Sequence, residues 1–347
     1  MKISDRQQLT PRLQQNTRSR PVRHWLPSAR YAILGALVVA VLALSTGCKK
    51  SGAGASSDTS APQKQLVIGM SQCNLGEPWR VQQDADIKAA AAKHPELKVI
   101  FKDAQNDTLR QIYEIEEFMR QKVNLIIVSP KETQPLTAPV ARAMAAGIPV
   151  IVLDRRILGT NYTCFIGGDN KQIGYAAGKW IVQALHGKGD VVELMGLMTT
   201  TPGQQRHLGF REAIAGTDIH VIFRADMQWL QSVARMEMES ALDRFPHIDL
   251  VFAANDDGAH GAYLAAQAEG RAKDMVFVGI DGLPQEGVAW VKQGILNATF
   301  QYPTGGAEAI AEAMKILQGE DVPKDIVLGS RMFDKANVDQ GGQPIQQ

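Results

Sequence analysis

The sequence predicts an α/β protein made of two similar doubly wound parallel-sheet lobes joined by a hinge. Three observations carry this. From Gln65 onward, short β-branched runs alternate with helical patterns, as in proteins with parallel sheets. The runs are eight in number, which is many for one sheet. Two stretches, 162–170 with its paired glycines and 298–303, break the alternation where a chain would cross between lobes.

Taken in order, the chain begins with Arg18, Arg20, Arg23 and Arg30 ahead of an apolar run, YAILGALVVAVLALSTGC at 31–48, that ends in small residues. This is the layout of an export signal, here residues 1–47, with cleavage expected before Cys48. The alternative is an uncleaved anchor, because the run is nearly long enough to span a bilayer. Residues 48–64, rich in Gly, Ser and Ala, read as a flexible tether. Strands are expected at 66–71, 97–103, 124–129, 149–154, 190–195, 220–226, 249–255 and 275–281. The helices between them are amphipathic: in 108–122, Ile112, Ile115, Phe118 and Met119 share one face. The crossings divide the body into an N-terminal lobe, 65–167 plus 302–325, and a C-terminal lobe, 168–301 plus 326–340. Residues 331–347 show no clear pattern.

The formal net charge of +1 hides an asymmetry. Residues 1–47 hold seven of the 37 Lys and Arg but one of the 36 Asp and Glu, which leaves 30 basic against 35 acidic residues in the body. A mildly acidic body without a basic run has no electrostatic footprint for nucleic acid. Cys73 and Cys164 read as two buried free thiols, with a disulfide in an oxidising compartment as the alternative.

In open parallel sheets, ligands bind beyond the carboxyl ends of the strands. Those ends carry Ser71 with Gln72, Asp103, Ser129, Asp154 with Arg155, Asp226, the Asn255–Asp257 cluster, and Asp281. Each Asn, Asp or Ser alone suits a helix cap as well as a ligand contact. Arg155 is not explained by capping. Beside Asp154 it supplies a fork of donors next to an acceptor, which satisfies a hydroxyl from both sides, although a structural ion pair would look the same. Trp79 and Trp229 each follow a strand, one in each half, and are placed to stack on the C–H face of a sugar ring or to join the core.

Residues 65 to about 335 resemble the type I periplasmic solute-binding proteins of sugar importers, the group with the ribose-binding and galactofuranose-binding proteins. The resemblance rests on GMSQ at 69–72, Trp79 with Arg80, PVIVLDR at 149–155, RHLGF at 206–210, AANDD at 253–257, GIDGLP at 279–284 and ATFQYP at 298–303, in that order. It implies stacking aromatics at Trp79 and Trp229. It implies hydrogen-bonding groups at Asp154, Arg155, Arg206, Asn255, Asp281 and Gln301. Arg80 is expected at the site beside Trp79, Asp256 faces the ligand or the lobe interface, and Asp257 suits a cap on the helix near Gly258. The chain departs from the ribose-binding pattern at Arg80 and Ser129, and from the galactofuranose-binding pattern at Gln301. LSTGC at 44–48 resembles a bacterial lipobox with Cys48 as the lipidated residue, although Ser45 stands where the leucine is usual.

The resemblance implies a monomer outside the cytoplasm, held to a membrane by lipid on Cys48, that captures a monosaccharide between its lobes and delivers it to an ABC permease. The same fold also serves sensors that present their closed form to a chemoreceptor or sensor kinase, and the sugar-sensing cores of repressors. Here the export signal and the missing DNA-binding module speak against a repressor. Signatures of catalysis are missing: no G-x-S-x-G, H-E-x-x-H or C-x-x-C occurs, and GYAAGKW at 174–180 has the wrong spacing for a phosphate loop and reads as helix. Asp154 and Asp281 could serve as a glycosidase pair, but a neighbouring guanidinium spoils a general acid. No cofactor or metal is expected, and His207, beside Arg206, is given a surface or hinge role.

Overall fold

The computed structural model describes residues 65–346. Two sheets organise them. The first holds β1 (Leu66–Gln72), β2 (Leu97–Asp103), β3 (Leu125–Val128), β4 (Val150–Leu153), β5 (Cys164–Gly168) and β11 (Asp325–Leu328), in the order β11-β5-β4-β3-β1-β2, with every neighbouring pair parallel. The second holds β6 (Lys188–Met195), β7 (Asp218–Asp226), β8 (Leu250–Ala253), β9 (Val276–Asp281), β10 (Ala298–Gln301), β12 (Arg331–Asp334) and β13 (Gln343–Pro344). Its order is β13-β12-β10-β9-β8-β6-β7, parallel except for β12 and β13.

Each sheet is covered on both faces, as buried parallel strands require. On the first sheet, α1 (Pro78–Ala91) and α9 (Gly306–Gln318) pack against Ile68, Met70, Ile151 and Ile166, while α2 (Thr108–Gln121) and α3 (Thr133–Ala145) pack against Ile126, Val128 and Val152. On the second, α4 (Asn170–Ala184) and α5 (Thr201–Ile214) cover Val191, Leu250 and Val278. The opposite face is covered by α6 (Gln231–Arg244), α7 (Asp256–Ala268) and α8 (Gly287–Gln293) over Val192, Leu194 and Val251. The amphipathic reading of α2 holds: Ile115 and Phe118 are fully buried, and Ile112 and Met119 pack beside them.

All eight expected strands form. The stretches around 164–168 and 298–301 are strands as well, and the crossings begin where they end. The chain passes from the first sheet to the second between β5 and α4, returns between β10 and α9, and passes again at Gly329 and Ser330 between β11 and β12. That third passage lies beyond the expected boundary at 325–326, because β11 pairs with β5 along Asp325–Leu328 before the chain leaves. The unpatterned tail contributes the antiparallel β12 and β13. Among the described residues no helix is long and apolar enough to cross a membrane. The apolar run at 31–48 and Cys48 lie outside the described residues. Cys73 and Cys164 are both buried and unbridged.

Candidate ligand cavity between the two sheets

The carboxyl ends of both sheets converge on one narrow, largely polar cavity. The first sheet's side brings Glu77, Trp79 and Arg80 from the start of α1, and Asp154 with Arg155 from the end of β4. The second brings Pro202 and Arg206 from α5, Trp229 after β7, Asn255 after β8 and Asp281 at the end of β9, and Tyr302 enters from the passage after β10.

Arg80 is buried and held mainly through one nitrogen. Its Nη1 donates to Asp154 Oδ2 and Ser129 Oγ, both at 2.8 Å, and its Nε lies 3.4 Å from Glu77 Oε2. Ser129, at the end of β3, is small enough for the guanidinium to pass to Asp154. Arg155 donates from Nη1 to the Lys131 carbonyl at 3.0 Å, and its Nε stands 3.7 Å from Asp154 Oδ2. Burial pushes the Asp154 carboxyl up, but Arg80 and Arg155 more than offset this and hold it below the usual carboxylate range. Asp154 is therefore a fixed acceptor.

Across the cavity, Arg206 is set by α5 against α4. A Cβ on Gly174 would come within 2.3 Å of the Arg206 carbonyl oxygen, and one on Gly209 within 2.0 Å of that of Lys171, so the two helices meet backbone to backbone. Arg206 Nε donates to Asn170 Oδ1 at 2.9 Å, and Nη1 lies 3.7 Å from Asp281 Oδ1. Burial pushes Asp281 well above the ordinary carboxylate range, and Arg206 does not bring it back. The two strand-end carboxyls thus differ: one is held ionised, and the other keeps its proton to higher pH. Together they offer an acceptor and, when protonated, a donor.

Two guanidinium groups approach the Trp229 ring, that of Arg155 at 5.7 Å from its centre and that of Arg206 at 5.3 Å. Trp79 packs against Tyr302 with ring centres 5.2 Å apart and donates its Nε1–H to the Tyr302 carbonyl at 2.9 Å. Strained backbone collects here as well. Asp154 and Trp229 both have φ of 68°, and Asp281 has φ of 147°, conformations that cost about 1–3 kcal/mol each and persist where the surroundings fix them.

Of the residues singled out in the sequence, Trp79, Arg80, Asp154, Arg155, Arg206, Trp229, Asn255 and Asp281 are brought together. Asp256 and Gln301 are not. Asp256 faces away from the cavity, its two oxygens taken by Thr299 Oγ1 at 2.6 and 2.8 Å and by the Gly282 N–H at 2.7 Å. Gln301 opens instead onto an outer groove with Gln82, Asp86 and Pro284. The helix cap also differs from expectation. Asn255 Oδ1 accepts from the Gly258 N–H at 2.9 Å and so caps α7, while Asp257 takes only Gln231 Nε2 at 3.3 Å. Asn255 still lines the cavity, and its Nδ2 donates to the Trp229 carbonyl at 3.1 Å. His207 pairs with the buried Glu193 at 2.6 Å and does not line the cavity.

Sequence reasoning missed Glu77, Pro202 and Tyr302. Glu77 lay two residues from Trp79 in a segment already singled out. Tyr302 lay beside Gln301, and only the point at which β10 ends decides which of the two turns inward.

Residues 68–321 match the family described as the periplasmic binding protein domain. The ribose import binding protein of Bacillus subtilis is 31% identical over 269 residues, 77% of this chain and 87% of that protein. Among solved structures, the fructose binding periplasmic domain of a hybrid two component system superposes with a TM-score of 0.77 at 41% identity, covering 80% of this chain and 93% of that one. A solute binding protein of an ABC transporter from Bacillus halodurans C-125, with bound myo-inositol, gives a TM-score of 0.76 at 30% identity over 81% of this chain and 98% of its own. With two parallel sheets, chain passages between them and a polar cavity at their facing carboxyl ends, this chain belongs to the periplasmic binding protein family.

Proposed function

We propose that this protein captures one monosaccharide or cyclic polyol in the cavity between its two sheets, without transforming it, and hands it to an ABC importer. One observation carries the reading. Arg80 Nε, Arg155 Nε and Trp229 Nε1 are buried without hydrogen-bond partners, and all three belong to residues around a cavity that also holds the carboxyls of Glu77, Asp154 and Asp281. Buried donors are rarely left unmade, because each costs about 1–3 kcal/mol. A ligand bearing several hydroxyls, each both donor and acceptor, satisfies such a ring of groups, and the tryptophan faces take its C–H surface. Asp154, held ionised by two arginines, is a poor general acid, which favours binding over glycoside cleavage.

Capture proceeds by closure of the lobes about the three passages, with contacts from both sides favouring the closed state. A ligand of monosaccharide size reaches roughly micromolar affinity, about −8 kcal/mol, within the limits for so few atoms. The lobes divide as 65–167 with the return through 302 onward, and 168–301 with the C-terminal strands. Lipid on Cys48 and the tether at 49–64 keep a monomeric body near the permease outside the cytoplasm.

The likeness to a periplasmic domain of a two component system favours a second reading, in which the closed form signals to a sensor kinase. Mass spectrometry of small molecules released from the purified, denatured protein, followed by calorimetric titration with D-ribose, D-fructose and myo-inositol, tests the binding reading. Saturable binding without turnover supports it. No binding, or steady product formation lost in Asp154→Asn, overturns it. Uptake of the bound compound by cells lacking the protein separates import, where uptake falls, from sensing, where only the transcriptional response falls.

A further inference from the structure

Tyr302, which the sequence did not point to, touches cavity residues on both sides. It sits where the chain leaves β10 for α9, so it belongs to a passage between the two sheets. Its hydroxyl donates to the backbone carbonyl of Asp154 at 3.2 Å and accepts from Asn170 Nδ2 at 3.3 Å. Asn170 starts α4 just after the first passage, and its Oδ1 holds Arg206 Nε. The Arg206 guanidinium lies 4.6 Å from the centre of the Tyr302 ring. The ring also lies against Gly168, the last residue of β5, where a Cβ would come within 2.8 Å of it. One side chain therefore meets the ends of both sheets, ties two passages to each other, and fixes a guanidinium by its face while Asn170 fixes it by its edge.

We infer that Tyr302 is the positioning residue that couples lobe closure to ligand capture, holding Arg206 of one lobe and Asp154 of the other in register for the same ligand. This rests on the sugar-binding reading. The physical reason is that closure is absorbed by backbone rotation at the passages. Two passages cross-linked through Asn170 and Tyr302 turn together, so Arg206 and Asp154 approach along one path. Without the hydroxyl, the ring still fills its place beside Gly168 and Trp79, but the passages lose their cross-link and Asp154 loses a donor on its carbonyl.

The test compares Tyr302→Phe with the parent, using the sugar or polyol among D-ribose, D-fructose and myo-inositol that the parent binds most tightly. Stopped-flow binding should show dissociation at least tenfold faster with association within about threefold, since docking to the open form is unchanged. Small-angle scattering at saturating ligand should give a radius of gyration between the parent's free and bound values, which loss of a merely structural contact would not produce. The melting temperature of the ligand-free variant should stay within about 4 °C of the parent's, the shift expected for roughly 1 kcal/mol. Asn170→Ala, which removes the same link from the other side, should reproduce the kinetic split. If Tyr302→Phe binds and closes like a parent that binds well, this inference is wrong and the sugar-binding reading stands. A parent that binds nothing on the panel overturns both.

Discussion

Arg80 and Asp154 meet Nη1 to Oδ2 at 2.8 Å, with both side chains about 3% exposed, and so join the first turn of α1 to the end of β4 inside the cavity wall. Neither residue is near the other in sequence. The pair turns a strand-end carboxylate into a fixed acceptor and gives the cavity one of its three guanidinium groups.

Arg80→Ala should cost about 3 kcal/mol or more of stability, because breaking a buried pair strands the remaining charge. Arg155 Nε at 3.7 Å compensates only in part. The double variant Arg80→Ala with Asp154→Asn should recover much of the loss, and both variants should bind ligand at least tenfold more weakly than the parent. Urea unfolding and calorimetric titration check this. The sign of the pH effect is fixed as well. Asp154 has its carboxyl held low in the folded state, so its contribution is present above the unfolded value near 4 and is lost as pH falls through the folded one.

Asn255→Ala should lower both stability and affinity, since it removes the cap on α7 and the bond to the Trp229 carbonyl together. A lost cap costs about 1 kcal/mol. Asp257→Ala should leave α7 intact and stability at neutral pH unchanged or slightly raised, because its carboxyl caps nothing and burial already pushes it up to about 6. Thermal melts of the two variants at pH 7 decide between these roles. A larger loss in Asp257→Ala would reverse them.

The strand runs were legible because apolar β-branched stretches bounded by turns have few other uses, and the cavity was legible because strand ends in parallel sheets gather on one side. What stayed hidden depends on where strands stop and what lies behind them. CFIGG at 164–168 and ATFQ at 298–301 are short strands whose glycine or neighbouring proline reads as a break. The Asn255–Asp257 cluster shows three polar groups, but which faces the cavity is set by the Gly258 N–H on one side and by Thr299, 43 residues away, on the other. Buried-pair geometry of that kind leaves no local pattern to read.

Gln301→Ala should bind ligand within about twofold of the parent, as expected for a side chain that lines the outer groove and not the cavity. Trp229→Ala should weaken binding at least tenfold, through lost stacking area and the loss of the ring beside Arg155 and Arg206. Titration of both variants with one ligand is the check. Equal losses would mean that Gln301 turns inward when the ligand is bound.

Acidification from pH 7 to pH 5 should stabilise the ligand-free protein. Burial pushes Asp256 and Asp257 up to about 6 and Glu286 up to about 7. A carboxyl whose folded value is raised holds its proton where the unfolded chain has released it, so the folded state binds more protons and stability falls as pH rises from about 4 to about 7. His260, held below its usual range by burial, acts in the opposite direction between its two values, but it is one group against several raised acids, Asp84, Glu114 and Asp281 among them. Asp256 is the deepest of the acids, with its oxygens on Thr299 and Gly282. Asp256→Asn keeps both partners, because the amide oxygen accepts from the Gly282 N–H while the amide nitrogen donates to the Thr299 hydroxyl, which is able to accept. This variant should therefore match or exceed the parent's stability at pH 7 and show a shallower rise on acidification. Chemical unfolding of both proteins at pH 5, 6 and 7 reads out the slope. An unchanged slope in Asp256→Asn would show that Asp256 releases its proton in the folded state as readily as in the unfolded chain, and that the acids at the end of the second sheet titrate without it.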